Sequence, residues 1–155
     1  MDDARRRRRA AASIKEALRE LRGQLSLLDR QVSARAELKD VDLDCLDLIG
    51  RCGPISPTAL ARQAGLHPAT LTGILDRLEK AGWVARERDI ADRRAVLIKA
   101  LPERNAELFR LYSGMNHAMD EICAEYTEAE LDLLVGFLRR ATGAGRDATA
   151  ALADD

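Results

Sequence analysis

The sequence predicts a mainly α-helical chain carrying one small β-hairpin. Apolar residues recur at helical spacing along most of the 155 residues. Leu and Ala dominate, and aromatics are only 3% of the chain. One stretch near 83–101 breaks the helical pattern and is rich in Val, Ile and Trp, as strands are. The length suits one ordinary domain, or two small units sharing a core.

The first long segment, residues 10–36, places Ile14, Leu18, Leu21, Leu25, Leu28 and Val32 at alternating spacings of four and three. This repeat makes one narrow apolar stripe, suited to packing against other helices, including those of a second chain. Before it stand five cations, Arg5–Arg9. Cations in a first helical turn oppose the macrodipole, so this run is expected to be disordered or engaged with a partner.

Residues 42–50 form a short helix with Leu43, Leu46 and Ile49 inward. Asp42 or Asp44 is its expected cap, and Gly50 or Gly53 its stop. Gly53-Pro54-Ile55-Ser56 reads as a turn with a short extended piece. Ser56 then caps a helix over 57–64, with Pro57 in its first turn. A further helix spans 68–81, between Pro68 and the stop residue Gly82. Strands at 83–88 and 95–101 flank the polar turn 89–94.

A second long helix starts near Pro102, with Leu108, Leu111 or Tyr112, Met115, Met119, Ile122 and Tyr126 on its stripe. Thr127-Glu128-Ala129-Glu130 is a capping box. It opens a last helix with Leu131, Leu134, Val135 and Leu138 on one face. Residues 143–155 lack a core pattern and are expected to form a disordered tail.

The formal net charge is −1, but it is sorted along the chain: residues 51–99 carry +4 and residues 100–155 carry −6. No apolar run approaches the ~18 residues of a membrane span. No apolar stretch follows Arg5–Arg9, so no secretory signal is expected. Three cysteines without metal-ligand spacing fit reduced thiols in a cytoplasm. No enzyme is expected either, because a nucleophile–His–acid set, a phosphate loop and a metal cluster are all lacking, and no cofactor is expected.

Function concentrates in 57–100. Ala61, Gly65, Leu71 and Ile74, spaced four, six and three, match the packing frame of a helix-turn-helix. Leu71, Ile74, Leu75 and Leu78 face inward. Ala69, Thr72, Gly73, Asp76 and Lys80 face outward, with Thr70 and Arg77 at the edges. Short side chains near the helix N-terminus let it enter a DNA major groove, about 12 Å wide. A plain helical hairpin shares this spacing. The strand pair adds Arg86, Arg88, Arg93 and Arg94, with Asp92 expected to orient a tip arginine by an ion pair. Such a loop suits a narrow minor groove or the phosphates beside it.

The run Leu71–Leu101, LTGILDRLEKAGWVARERDIADRRAVLIKAL, with PTALARQAGLHPAT before it, resembles MarR-type transcriptional regulators. Leu75–Gly82 and Asp92–Arg94 carry most of the likeness, which extends over about residues 10–142. The resemblance implies a winged helix-turn-helix DNA-binding domain at 41–100 and a helical dimerisation region at 1–40 and 101–142. It implies a cytoplasmic homodimer, usually a repressor, whose two lobes read an inverted-repeat operator in double-stranded DNA. Small amphipathic or phenolic ligands, or oxidation, release such proteins. Those ligands lodge between dimerisation helices and lobe, here segments 10–36, 42–50 and 102–126. The residues placed on DNA are His67, Pro68, Ala69, Thr70, Thr72, Gly73 and Arg77 of the helix, and Arg86, Arg88, Asp92, Arg93 and Arg94 of the wing.

The chain departs from the family in two places. Gly73 stands where an arginine often follows Thr72. Either the backbone there approaches the groove closely, or reading shifts to His67, Thr70, Thr72 and Arg77. Leu101-Pro102-Glu103-Arg104-Asn105 lacks the usual threonine cap.

The competing reading is a winged-helix module that binds protein and no DNA, left open by the acidic C-terminal third and the short Ala69 and Gly73. Cys45, Cys52 and Cys123 read as small buried residues, and no cysteine stands near the start of the first long helix, where oxidation-sensing relatives place theirs. His117 and Glu121 are two potential ligands, too few for a metal site.

Overall fold

The computed structural model describes residues 2–153, Asp2 by its backbone alone. Six helices and two strands follow in the order α1 (Asp2–Arg35), α2 (Asp40–Cys52), α3 (Pro57–Ala64), α4 (Pro68–Lys80), β1 (Val84–Arg88), β2 (Val96–Ala100), α5 (Pro102–Ala124) and α6 (Glu128–Ala153). The chain forms two compact units, residues 1–111 and 112–155, with the boundary inside α5.

The core of the first unit is built by α2, α3, α4 and the hairpin. Leu46, Ile49, Leu60, Leu71, Ile74, Leu75, Leu78, Trp83, Val84 and Ile98 are all fully buried. The inward face inferred for the 68–81 helix is therefore the face it buries. Ala61 is also buried, where a larger side chain would hold α3 and α4 apart. Local chemistry sets the element ends. Ser56 Oγ accepts the Ala59 N–H at 3.2 Å and caps α3. Gly65 takes a left-handed φ of 64°, and the Leu66 N–H reaches Ala61 O at 2.9 Å. A side chain at position 65 would strain this turn.

The strands pair antiparallel, with Val84 opposite Ala100, Arg86 opposite Ile98 and Arg88 opposite Val96. Ile55 adds a third extended rung, exchanging hydrogen bonds with Ile98 at 2.8 and 3.0 Å. The short extended piece expected before Ser56 is this rung. Pro102 opens α5 where the family's threonine cap is absent, and Asn105 in its first turn ties the helix back to the hairpin. Its amide donates to Leu101 O at 2.7 Å and Trp83 O at 3.0 Å. The Arg104 guanidinium lies 4.5 Å from the centre of the Trp83 ring, which seals the same joint.

Three expectations are corrected. The Arg5–Arg9 run is helical, inside α1. Arginine is a good helix former, and Asp3 supplies the acidic first turn and pairs with Arg7 at 3.3 Å. α2 starts earlier than 42, at Asp40 after the N-cap Lys39, which makes no side-chain cap bond. Asp42 thus lies inside the helix, buried, and is not its cap.

α6 continues through 143–153 as helix, where a disordered tail was expected. Ala144, Ala148, Ala150, Ala151 and Ala153 supply intrinsic propensity where a core pattern is missing. The expected capping box does form. Thr127 N–H donates to Glu130 Oε2 at 2.8 Å, and Glu130 N–H to Thr127 Oγ1 at 3.3 Å. These Thr127 hydrogen bonds hold the Glu130 carboxyl below its usual range.

Candidate nucleic-acid interface

The start of α4 presents a row of small exposed groups: His67, Pro68, Ala69, Thr70 and Thr72, with Gly73 half-buried. His67 is the N-cap residue. Its Nδ1 accepts the Ala69 N–H at 3.2 Å, which leaves Nε2 to carry the ring proton and face outward chemistry as a donor. Thr72 Oγ1 donates to Pro68 O at 3.0 Å, so its remaining capacity is as an acceptor. Gly73 has no packing reason within the protein. A Cβ placed there would meet nothing closer than Arg77 Nη1 at 3.9 Å. Glycine in a helix costs about 1 kcal/mol relative to alanine. Gly73→Ala should therefore raise stability in urea denaturation by up to about 1 kcal/mol, while weakening DNA binding if the groove edge lies against this backbone.

The hairpin tip is held by its own aspartates. Asp89 Oδ1 accepts the Ala91 N–H at 2.9 Å, and Asp92 Oδ1 accepts the Arg94 N–H at 3.0 Å. Asp92 therefore shapes the turn through the backbone. The ion pair expected between it and a tip guanidinium is not formed. Arg62, Arg88, Arg93 and Arg94 are exposed, and none makes an ion pair with another described residue. Ile90 at the tip is 98% exposed, an apolar group beside two cations. Sequence reading passed over Ile90 as part of a polar turn. A lone apolar residue in a charged, unpaired loop was the available signal.

Two arginines expected at the interface are engaged inside the protein. The Arg77 fork donates to Asp42, Nη2 to Oδ1 at 2.7 Å and Nε to Oδ2 at 3.2 Å. The Asp42 side chain is 5% exposed, so this pair ties α4 to α2 across 35 residues of sequence. The Asp42 hydrogen bonds push the Arg77 pKa up, keeping the guanidinium charged. Arg86 reaches Asp76 at 2.6 Å and also pairs with Glu79, both on α4. It fastens the wing to α4 and has little charge left for a phosphate. Sequence spacing cannot reveal either pair, because the partners meet only through the tertiary fold.

The region that builds this lobe, residues 38–96, matches the family model described as MarR family. The chain is 37% identical over 120 residues to the uncharacterized HTH-type transcriptional regulator YcgE of Bacillus subtilis, covering 77% of this chain and 78% of that one. The chain belongs to the MarR family. Its fold agrees with a MarR family protein from Bacillus stearothermophilus, at a TM-score of 0.66 and 20% identity over 89% of this chain and 96% of that chain. NadR in complex with 4-hydroxyphenylacetate superposes at a TM-score of 0.62 with 28% identity, over 83% of this chain and 91% of that chain. Like other members of the family, this one is a DNA-binding transcriptional regulator and not an enzyme. That decides against the protein-only module.

The cysteines of this MarR-family chain differ from one another. Cys45 is fully buried, Cys123 half-buried, and Cys52 exposed at the end of α2, where its thiol contacts Gln63 Oε1 at 3.3 Å. The expectation that all three are buried fails at Cys52, because α2 turns its last residue outward. Burial first, then Asp42 and Asp44, pushes the Cys45 thiol up to about 11. At pH 7 only about one such thiol in ten thousand is ionised. Cys52 should react quickly with a thiol reagent under native conditions, and Cys45 only on unfolding, as peptide mass mapping would show.

Proposed function

We propose that the chain acts as a homodimeric repressor in the cytoplasm, reading an inverted-repeat operator and released by a small molecule. The carrying observation is the Arg86 clamp. It fixes a wing bearing the unpaired Arg88, Arg93 and Arg94 beside a helix whose leading row is small enough for a major groove. His67, Pro68, Ala69, Thr70, Thr72 and Gly73 are the groove-facing set, and Arg62 adds a phosphate contact. Ile90 supplies apolar contact at the wing tip. Arg77, Arg86 and Asp92 position these groups from within.

Dimerisation is supported by apolar surface left open in each unit. Ile14, Leu21 and Leu25 of the α1 stripe are exposed, as are Leu133, Leu134, Val135, Phe137 and Leu138 of α6. Among the described residues no helix is long and apolar enough to cross a membrane. The small-molecule part of the reading takes support from NadR, which was solved with 4-hydroxyphenylacetate.

The test is a salt titration on an operator-bearing duplex, with mass measured by light scattering. Twice the chain mass is expected. The logarithm of affinity should fall linearly with log salt, with a slope of about −0.9 per phosphate neutralised. A flat salt dependence, or a monomer at binding concentrations, would overturn the proposal.

A further inference from the structure

We infer that the arginines at the start of α1 form a salt latch with a second copy of this chain, gripping the acidic corner where its α5 ends and its α6 begins. The inference rests on the homodimer proposed above, and adds a contact and its chemistry. Arg5–Arg9 stands before the stretch of about residues 10–142 that resembles the family, so the family's own helices do not account for it.

Both surfaces are charged against their own helices. An α-helix carries about half a positive charge at its N-terminus and about half a negative charge at its C-terminus. Arg5–Arg9 puts cations on the first turns of α1, and no acid stands between Asp3 and Glu16. Asp120, Glu121 and Glu125 crowd the C-terminal end of α5, whose last turn holds no base. The short connection 125–127 then brings in Glu128 and Asp132 of α6. No Lys or Arg stands between Arg110 and Arg139. Each surface thus supplies the charge that the other's helix end lacks.

Neither surface is neutralised within the chain. All five arginines are exposed, as are Asp120, Glu121, Glu125, Glu128 and Asp132. Arg7 pairs with Asp3, and Glu121 faces His117 at 3.5 Å, a pair that is charged only when the histidine is protonated. Arg5, Arg8 and Arg9 make no ion pair with a described residue, and neither do Asp120, Glu125, Glu128 and Asp132. Consecutive residues at steps of about 100° place a guanidinium on every side of the helix. The run is therefore a collar, suited to several carboxylates at once.

The surroundings of the run select protein over nucleic acid. Residues 3–17 of α1 are exposed throughout, and the stripe that follows the cations keeps Ile14, Leu21 and Leu25 in the open. The acidic corner has the same mixed make-up, with Met119, Ile122 and Tyr126 exposed among its carboxylates. Phosphates would leave both apolar sets wet. A second copy covers them while it pairs the charges.

The experiment is charge reversal followed by mixing, on the full chain. One variant carries Arg5→Glu, Arg8→Glu and Arg9→Glu. The other carries Asp120→Lys, Glu125→Lys and Asp132→Lys. Acids at the start of α1 and bases at the end of α5 suit the macrodipoles, so both variants are expected to stay folded, as circular dichroism checks. At low salt each variant alone should dissociate at least about tenfold more readily than the wild type in sedimentation. Mixed in equal amounts, the two should form heterodimers almost exclusively in native mass spectrometry, because both latches of the mixed pair are again opposite in charge. The preference should fade toward about 1 M salt, where the screening length is about 3 Å. Random mixing, with about half of the dimers mixed, would overturn the latch. So would variants that dimerise as tightly as the wild type, or weakened variants that mixing does not rescue, which would put the pairing within one chain. Unchanged dimers with weaker binding of the arginine variant to any duplex would place the run on DNA instead, and also overturn it. A monomeric wild type would sink the homodimer reading itself, whereas random mixing of dimers sinks the latch alone.

Discussion

Arg77→Ala is expected to destabilise the fold by about 2–3 kcal/mol and to weaken operator binding as a consequence. Breaking a fully buried ion pair by removing one partner costs about 3–5 kcal/mol, because the other charge stays buried alone. Asp42 is in that position, but the Arg77 side chain is 44% exposed, and water entering through its vacated space screens part of the loss. Arg77→Ala combined with Asp42→Asn should recover much of the stability, since the stranded charge is then gone. Urea denaturation of the two variants measures this. Unchanged stability of Arg77→Ala with a large loss of affinity would instead put Arg77 directly on DNA, as its place at the helix edge first suggested.

Removing both wing-tip cations has the opposite signature. Arg93→Ala with Arg94→Ala should lower operator affinity by about 2–4 kcal/mol and make the log–log salt slope shallower by about 1.8. Neither side chain is buried or paired with a described residue, so stability should hold within about 0.5 kcal/mol. Arg86→Ala is the contrast within the same hairpin. It frees Asp76 and Glu79 of α4 and loosens the wing, so its effect on affinity comes from lost placement.

Much of the lobe was legible because local chemistry and tertiary packing agree there. Ser56 caps, Gly65 turns, and Leu71, Ile74, Leu75 and Leu78 point inward by period alone. The hairpin was legible from its Val and Ile content and its polar turn. The ends were not. Arg5–Arg9 and residues 143–153 lack a core face, yet helix propensity and an acidic first turn carry them. Within the interface, the exposure of Ala69 and Thr72, with Thr70 at the edge, followed from the same period that found the core. The roles of Arg77, Arg86 and Asp92 did not, because a cation near a reading helix looks the same in sequence whether its partner is a phosphate or a carboxylate. Asp42 and Arg77 stand 35 residues apart, and Arg86 meets Asp76 and Glu79 only once the wing folds back.

The central claim is that the small row of α4 and the free wing arginines together read DNA. Its most direct measurement is selection of genomic fragments by the purified full chain, repeated with Thr70→Ala and with the Arg93→Ala, Arg94→Ala pair. The account predicts enrichment of one inverted repeat by the wild type. It further predicts relaxed base preference within the half-sites for Thr70→Ala, and weaker but unaltered preference for major-groove bases with the wing pair. Fragments sharing no common sequence, or a repeat recovered equally well by all three proteins, would contradict it.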